Sequence, residues 1–205
     1  MLQYKTVNAK TLEFLRKIQA IEEFNPLRLV GGTSLALQIG HRISVDLDFF
    51  GEHNLPEFKI SSLLSNIGNT KLIHKTNSIL IYSIEGVKVD IVNYPYKWLE
   101  DAVSVEGIKL AGLKDIAAMK LSAVTGRGSI KDFIDIWFLL QYFPLSEQLE
   151  LFKEKYPQAT LLMVLKSLSY FEDAEKEKPP KMIKQMKWEN LKDTLRKEIN
   201  KIINQ

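Results

Sequence analysis

Two aspartates one residue apart, Asp46 and Asp48, have the residue type and spacing best suited to chemistry in this sequence. They lie in the segment 43–50, whose alternating apolar and polar residues predict a half-buried strand. Residues i and i+2 of a strand share a face, so the two carboxylates project together. The residues that alternate with them then face the core: Val45, Leu47 and Phe49. Adjacent carboxylates repel, and a hard cation such as Mg²⁺ or Mn²⁺, which also holds phosphates, relieves the repulsion. The alternative is a solvent-facing strand without chemistry.

A glycine turn precedes this strand. Gly31 and Gly32 follow an apolar run, and Thr33 and Ser34 open a short helix that Gly40 ends. Glycines let the backbone approach a ligand closely, and a helix start offers N–H groups with partial positive charge, which together suit a phosphate. An ordinary glycine turn with a hydroxyl cap is the alternative interpretation.

Thirteen residues separate Gly32 from Asp46, enough for one helix and a returning strand. This order of glycines, short helix and Asp-x-Asp resembles the polymerase-β-like nucleotidyltransferase superfamily. Sites of that superfamily carry a third carboxylate on a neighbouring strand. Asp90, in the segment 87–92, is the candidate here, and a merely polar position on an alternating strand is the alternative.

A second segment, 112–135, is similar to the abortive-infection AbiEii/AbiGii toxin family. The similarity consists of Lys-x-x-Ala, then Arg, then Asp-x-x-Asp, carried by Lys120, Ala123, Arg127, Asp132 and Asp135. Arg42 and Ser44, just before Asp46, fit the same family. The resemblance spans residues 27–140 and leaves the C-terminal part of the chain unassigned.

The resemblance implies roles for these residues. The expected catalytic residues are Asp46, Asp48, Asp90, Lys120 and Asp132. The expected nucleotide-binding residues are Gly31, Gly32, Thr33, Ser34, Arg42, Lys120 and Arg127. Mg²⁺ (or Mn²⁺) is the expected cofactor, held by Asp46, Asp48 and Asp90, and a nucleoside triphosphate (NTP) is the substrate. Asp132 and Asp135 are interpreted as orienting Lys120 or Arg127, as a general base or as metal support. Favourable placement of Asp132 in a first helical turn is the alternative.

The chain changes character near residue 100, because strands and helices mix before it and only helices are predicted after it. This pattern predicts an α+β fold. The resemblance specifies a polymerase-β-like nucleotidyltransferase fold, with a mixed or antiparallel sheet flanked by helices, followed by an α-helical C-terminal lobe. The expected domains are 1–100, the nucleotidyltransferase lobe, and 101–205, a helical lobe contributing Lys120 and Asp132 to the cleft. The last predicted helix, 181–203, either closes the core or binds a partner.

Composition excludes several other classes of protein. The absence of cysteine excludes a disulfide scaffold, a thiolate zinc site and a cysteine nucleophile. No apolar segment resembles a signal peptide or a membrane span, so a cytoplasmic protein without membrane contact is expected. The net charge of +3 arises from residues 173–205, a small excess for a nucleic-acid binder. The histidines, His41, His53 and His74, share no ligand spacing and are interpreted as surface or structural residues.

The leading hypothesis is a metal-dependent nucleotidyltransferase that moves an NMP from an NTP to a hydroxyl. The resemblance implies a toxin-like component of a bacterial toxin–antitoxin or abortive-infection system, with a separate antitoxin protein as partner. An RNA such as a tRNA end is the favoured acceptor, and a protein hydroxyl remains open. A catalytically inactive nucleotide-binding regulatory module and an aspartate-nucleophile phosphohydrolase are the alternatives. Tyr94, Tyr96 and Trp98 either stack a base or form core between the lobes.

Overall fold

The structure is a computed structural model that describes residues 1–204 and divides into two compact units. The first unit contains Met1–Tyr96 and Asp101–Ala111, and the second contains Lys97–Glu100 and the chain from Gly112 onward. This boundary differs from the expected one at residue 100, because the segment 101–111 contains strands of the first unit.

The strands and helices have the following bounds. The strands are β1 (Arg28–Leu29), β2 (Leu47–Gly51), β3 (Thr70–Lys75), β4 (Ile79–Ile84), β5 (Val87–Asn93), β6 (Val103–Val105) and β7 (Ile108–Leu110). The helices of the first unit are α1 (Ala9–Gln19), α2 (Gly31–Ile39) and α3 (Glu57–Ser65). The helices of the second unit are α4 (Leu113–Gly126), α5 (Ile130–Leu139), α6 (Leu145–Lys155), α7 (Leu161–Ser169), α8 (Glu172–Glu175) and α9 (Trp188–Ile203).

Within residues 1–204 the strands form one mixed sheet in the order β3-β4-β5-β2-β1-β7-β6. β2 runs parallel to β5 and β1 runs parallel to β7, whereas the other neighbours are antiparallel. A mixed sheet with helices, followed by a helical C-terminal region, confirms the predicted fold class.

The two faces of β2 and β5 differ in burial because strand side chains alternate between faces. One face is fully buried and carries Leu47, Phe49, Val89 and Ile91. These residues belong to a core with α1 and α3, which contribute Phe14, Leu15, Ile18, Ile60 and Leu64. The opposite face is less buried and carries Asp48 and Phe50 of β2 and Asp90 of β5.

Local sequence signals account for several element ends. The Asn8 side chain accepts a hydrogen bond from the Thr11 N–H (2.8 Å) and caps α1. Gly40 ends α2 in the left-handed region (φ 70°), a conformation that glycine adopts without a Cβ clash. The hairpin between β4 and β5 turns at Glu85 and Gly86, both with positive φ.

The strand predicted over 43–50 begins only at Leu47, and Val45 is 48% exposed rather than in the core. The residues before the strand are held from α2 instead, because the Thr33 hydroxyl contacts the Ser44 hydroxyl (2.9 Å) and the Asp46 carbonyl. These side-chain contacts replace ladder pairing between strands.

The expectation that only helices follow residue 100 is wrong. β6 and β7 form a hairpin whose turn residues, Glu106 and Gly107, both have positive φ. β7 then pairs with β1 through Leu29 and Leu110. Each of these strands has only three residues, and a long-range pairing of this kind leaves no periodic pattern in so short a segment.

The C-terminal helix is shorter than predicted, because α9 begins at Trp188 and not near residue 181. The Trp188 ring packs edge-on against Phe133 and Phe171, with centroid distances of 6.1 and 6.0 Å. The buried residues of α9 are Leu191, Leu195 and Ile199, and the helix packs on α5 and α7. Within the second unit this helix therefore closes the core.

The sheet ends in two dissimilar edge strands. β3 is almost entirely exposed, and its pairing with β4 shifts register between Leu72 and His74, as at a β-bulge. At the other end, β6 is only three residues long. In the part of the chain that the structure describes, no helix is long and apolar enough to cross a membrane.

A buried ion pair joins three parts of the second unit. The Lys155 ammonium of α6 lies 2.6 Å from Oδ1 of Asp115 in α4, and neither side chain is exposed. Lys155 also donates to the Lys97 carbonyl (2.8 Å), and Asp115 accepts from the Leu99 N–H (3.0 Å). The pair therefore fixes the segment 97–100 on the start of α4.

We expect Lys155→Met to lower the free energy of unfolding by about 3–5 kcal/mol, because it leaves a buried carboxylate without its counter-charge. Urea denaturation followed by tryptophan fluorescence measures this change. Lys176→Met is the matched control, since Lys176 forms a largely exposed pair with Asp173. Its urea midpoint should stay unchanged. Equal midpoints for the two variants would contradict a structural role for the buried pair.

Candidate active site

The register of two neighbouring strands brings two of the predicted aspartates together. Asp48 of β2 lies directly opposite Asp90 of β5 in the parallel pairing. Both side chains belong to the less buried face of the sheet. Asp46 lies just before β2 and is half-buried. The first unit therefore places Asp48 and Asp90 side by side, and Asp46 precedes Asp48 by two residues along the chain.

At the two glycines that begin α2, the space that a side chain would need is occupied by other side chains of the first unit. Gly31 has φ 67°, and a Cβ at this position would collide with Oδ2 of Asp48. A Cβ on Gly32 would collide with the guanidinium of Arg42. Both glycines are thus required for the Asp48 carboxylate and the Arg42 side chain to reach the helix start. The positive end of the helix favours a carboxylate there.

The hydroxyls predicted to bind nucleotide are buried and hydrogen-bonded within the first unit. Thr33 contacts Ser44 and the Asp46 carbonyl, and Ser34 accepts a bond from the Gln38 amide (3.2 Å). Arg42 is buried as well and donates to the Ile43 carbonyl (3.1 Å). Any contact of α2 with a phosphate would therefore use the first backbone N–H groups, which have no acceptor inside the helix. The nucleotide-binding roles of these residues stay predictions.

Lys88 is a neighbour of the carboxylates that the motif analysis missed. Its ammonium lies 2.6 Å from Oδ2 of Asp90, and it is half exposed. Oδ1 of Asp90 is buried and has no hydrogen-bond partner among residues 1–204. The sequence does contain a signal for this contact, because Lys88 and Asp90 are two residues apart on one strand and therefore share a face.

Across the described residues no group of three or more His, Cys, Asp or Glu side chains is arranged to hold a metal ion. Asp48 and Asp90 nevertheless fit Mg²⁺, which usually takes one or two carboxylates and completes its shell with water and substrate phosphates. The buried Oδ1 of Asp90, without a hydrogen-bond partner, is a donor atom of the right kind. The metal role of Asp46, Asp48 and Asp90 stays a prediction.

The predicted residues of the second unit form a buried ion network. The Lys120 ammonium in α4 lies 2.9 Å from Oδ1 of Asp132 and 2.6 Å from Oδ2 of Asp135, both in α5. Lys120 is only 4% exposed, and both aspartates are fully buried. The interpretation that these aspartates orient Lys120 agrees with this geometry, since two carboxylates hold one ammonium.

Arg127, in the turn between α4 and α5, joins the same network from the surface. Its Nε donates to Oδ2 of Asp132 (2.7 Å) and its Nη2 donates to Oδ1 (3.1 Å), while the side chain remains 66% exposed. The Ser129 hydroxyl also donates to Asp132 (3.2 Å), a contact that sequence reasoning missed. The carboxylate therefore holds the guanidinium by a two-point contact.

Burial raises the pKa of the Asp132 carboxyl, but attraction to Lys120 and hydrogen bonds from Arg127 outweigh it. The pKa of Asp132 consequently lies below its ordinary value. This carboxylate is ionised at neutral pH, so it acts here as a fixed counter-charge and not as a proton store.

The remaining candidate residues are aromatic rings and histidines. The Tyr94 ring packs between two others, with its centroid 5.2 Å from that of Phe50 and 5.0 Å from that of Tyr96. Trp98 lies in the second unit beneath the Lys155 ammonium, 4.7 Å from its ring centroid. His41 is buried, His53 is half-buried with a pKa lowered by burial, and His74 is exposed.

We expect Asp132→Asn to be less stable than the wild type at neutral pH, by an amount that depends on pH. Because the folded pKa of Asp132 is depressed, its ionised form stabilises the fold fully above the unfolded pKa of about 3.9. That contribution is lost as the pH falls through the folded pKa. Urea denaturation at a series of pH values should show the difference between variant and wild type shrinking below about pH 4.

The control is Asp193→Asn. Asp193 is exposed, and its Oδ1 lies 3.5 Å from Nη1 of Arg196. This control should remain close to the wild type across the same range. A gap between Asp132→Asn and the wild type that stays constant in acid would contradict the ionised network.

Comparison with known proteins identifies the family. A family model described as "Nucleotidyl transferase AbiEii toxin, Type IV TA system" matches residues 13–201. A protein of Aquifex aeolicus (strain VF5), named "Uncharacterized protein aq_aa25", is 38% identical over 171 residues, which cover 80% of this chain and 83% of that protein.

Solved structures share the fold at lower identity. JHP933 from Helicobacter pylori superposes with a TM-score of 0.60 and 18% identity, covering 97% of this chain and 94% of that one. The Megavirus polyadenylate synthase superposes with a TM-score of 0.50 and 14% identity, covering 66% of this chain and 32% of that one. The family model, which matches most of the chain, confirms the resemblance found in the motifs: this chain belongs to the AbiEii family of nucleotidyl transferase toxins.

Proposed function

We propose that this protein is a metal-dependent nucleotidyltransferase that moves an NMP unit from an NTP to the hydroxyl of an RNA and releases pyrophosphate. The observation that carries the proposal is the register of β2 and β5, which sets Asp48 directly opposite Asp90. The contact of Asp48 with the glycine start of α2 supports it further, because phosphates bind readily at such a helix start.

Asp48 and Asp90, with Asp46, are the residues that would hold Mg²⁺ or Mn²⁺ together with the triphosphate. When bound, the cation supplies charge neutralisation on the phosphates and lowers the pKa of the attacking hydroxyl. Oδ1 of Asp90 is the oxygen ready to act as a ligand, whereas Oδ2 is neutralised by Lys88. Lys88 thereby limits the repulsion between the two carboxylates in the absence of nucleotide.

In this proposal Lys120 and Arg127 contact the nucleotide phosphates, and Asp132 and Asp135 position them. A lysine held by two carboxylates and an arginine held by two hydrogen bonds lose little side-chain freedom on binding, which favours in-line positioning. Asp132 acts through Lys120 and Arg127 and is therefore a positioning residue. The depressed pKa of Asp132 argues against its use as a general base.

The family supports a biological setting for the reaction. Its description as a type IV toxin–antitoxin system supports a toxin role with a separate antitoxin protein as counterpart. We place the reaction in the cytoplasm, where NTPs and RNA are available. A tRNA end is the proposed RNA, and transfer to protein is an outcome that the experiment below distinguishes.

We expect Asp48→Asn and Asp90→Asn each to lower transfer roughly 100-fold or more, because charge neutralisation at the phosphates supplies several kcal/mol of transition-state stabilisation. The assay incubates the protein with each α-³²P-labelled NTP, Mg²⁺ or Mn²⁺, and total bacterial RNA. Label in RNA supports the proposal, and label in protein would change the acceptor.

Asp101→Asn is the matched control, because it makes the same substitution at an exposed aspartate outside the carboxylate pair. This variant should transfer as the wild type does. Metal-dependent NTP binding without any transfer would favour the inactive regulatory module. Transfer that survives in both Asp48→Asn and Asp90→Asn would show that these carboxylates are not the catalytic ones.

A further inference from the structure

The aromatic rings of Phe50, Tyr94 and Tyr96 form a continuous strip in the first unit, which we name the aromatic strip. Tyr94 lies one residue past β5, but its N–H still donates to the Gly51 carbonyl of β2 (3.1 Å). The strip is therefore built on the same pair of strands as the carboxylates. Tyr96 is 46% exposed, so its ring offers surface for contact.

The aromatic strip begins on the same sheet face as Asp48 and Asp90. Phe50 is two residues beyond Asp48, and Val92, its partner in register, is two residues beyond Asp90. Two residues along a strand correspond to about 7 Å. The strip thus begins one such step from the carboxylates, on the side toward the C-terminal ends of β2 and β5.

We infer that the aromatic strip is the subsite for the base of the incoming nucleoside triphosphate, with Tyr96 as the stacking residue. This inference rests on the proposed function, which places the triphosphate at Asp48 and Asp90. In a nucleotide one sugar joins the base to the phosphates, so the base must lie a short distance from the carboxylates. The strip begins about 7 Å from the carboxylates. It reaches Tyr96 through two ring contacts of 5.2 and 5.0 Å, so it supplies aromatic surface near them.

Stacking explains why rings are useful at this position. Every nucleobase has a flat π-face, and an aromatic side chain binds it without requiring a particular hydrogen-bond pattern. The tilted packing of Tyr94 on Phe50 and of Tyr96 on Tyr94 fixes each ring before the base arrives. A ring already held by its neighbours loses little conformational entropy on binding.

The test compares two ligands that differ in the presence of a base. The dissociation constants of each of the four NTPs and of inorganic tripolyphosphate, all with Mg²⁺, are measured by calorimetry. Tyr96→Ala should weaken binding of the preferred NTP by about 5- to 150-fold, the range for loss of one base–aromatic stack. Binding of tripolyphosphate, which has no base, should be the same as in the wild type.

Two further variants separate stacking from damage to the fold. Tyr96→Phe keeps the ring and should restore most of the NTP affinity. Tyr142→Ala removes a tyrosine that is equally exposed (45%) but belongs to the second unit, and its NTP affinity should match the wild type. Equal loss of NTP and tripolyphosphate affinity in Tyr96→Ala, or no loss of either, overturns the inference.

The same measurements distinguish this inference from the proposed function. A wild type that binds NTP but transfers no label refutes the proposed transferase activity, while the ratio of NTP to tripolyphosphate affinities still decides the stacking role. A wild type that transfers label with a Tyr96→Ala variant of unchanged NTP affinity keeps the function and overturns the subsite. A wild type that binds no NTP overturns the subsite directly.

Discussion

The parallel pairing of β2 with β5 is the constraint on which the first unit depends. In this register Asp48 and Asp90 share the less buried face while Leu47, Phe49, Val89 and Ile91 fill the core. A slip of β2 by one residue would turn its carboxylate, Asp48, inward and its apolar side chains, Leu47 and Phe49, outward. The hydrophobic core and the position of the carboxylates are therefore set by one and the same interaction, and the core cannot form correctly without also aligning the two acids.

The second unit relies on a different principle, the pairing of buried charges. Lys120 and Lys155 are both buried, and each is close to at least one buried aspartate. A charge removed from water is tolerated only where partners surround it. Such pairs add little net stability, but they fix side-chain positions because any departure leaves a charge unpaired. Asp132 also pairs with Arg127, so a buried carboxylate fixes the orientation of an exposed guanidinium.

Residues close together in sequence were predictable, whereas contacts between distant segments were not. The alternation of 87–92 predicted the strand that carries Asp90, and Gly40 predicted the end of α2. The hairpin of β6 and β7 was not predicted, because each of its strands has only three residues and shows no alternation. The pair of Asp115 and Lys155 was not predicted, because its members lie 40 residues apart in the chain. The glycines were recognised for their lack of side chains, but the structure shows that Asp48 and Arg42 use that space.

The two edges of the sheet affect how readily molecules of this protein associate with one another. An unpaired strand edge is a template for addition of further strands, and exposed edges of this kind drive fibrous association. Here β3 interrupts its ladder with a shift between Leu72 and His74 and carries Lys71 and Lys75, while β6 is too short to template a neighbour. Both ends are poor starting points for chain-to-chain polymerisation, which keeps the sheet from growing beyond one molecule at high concentration.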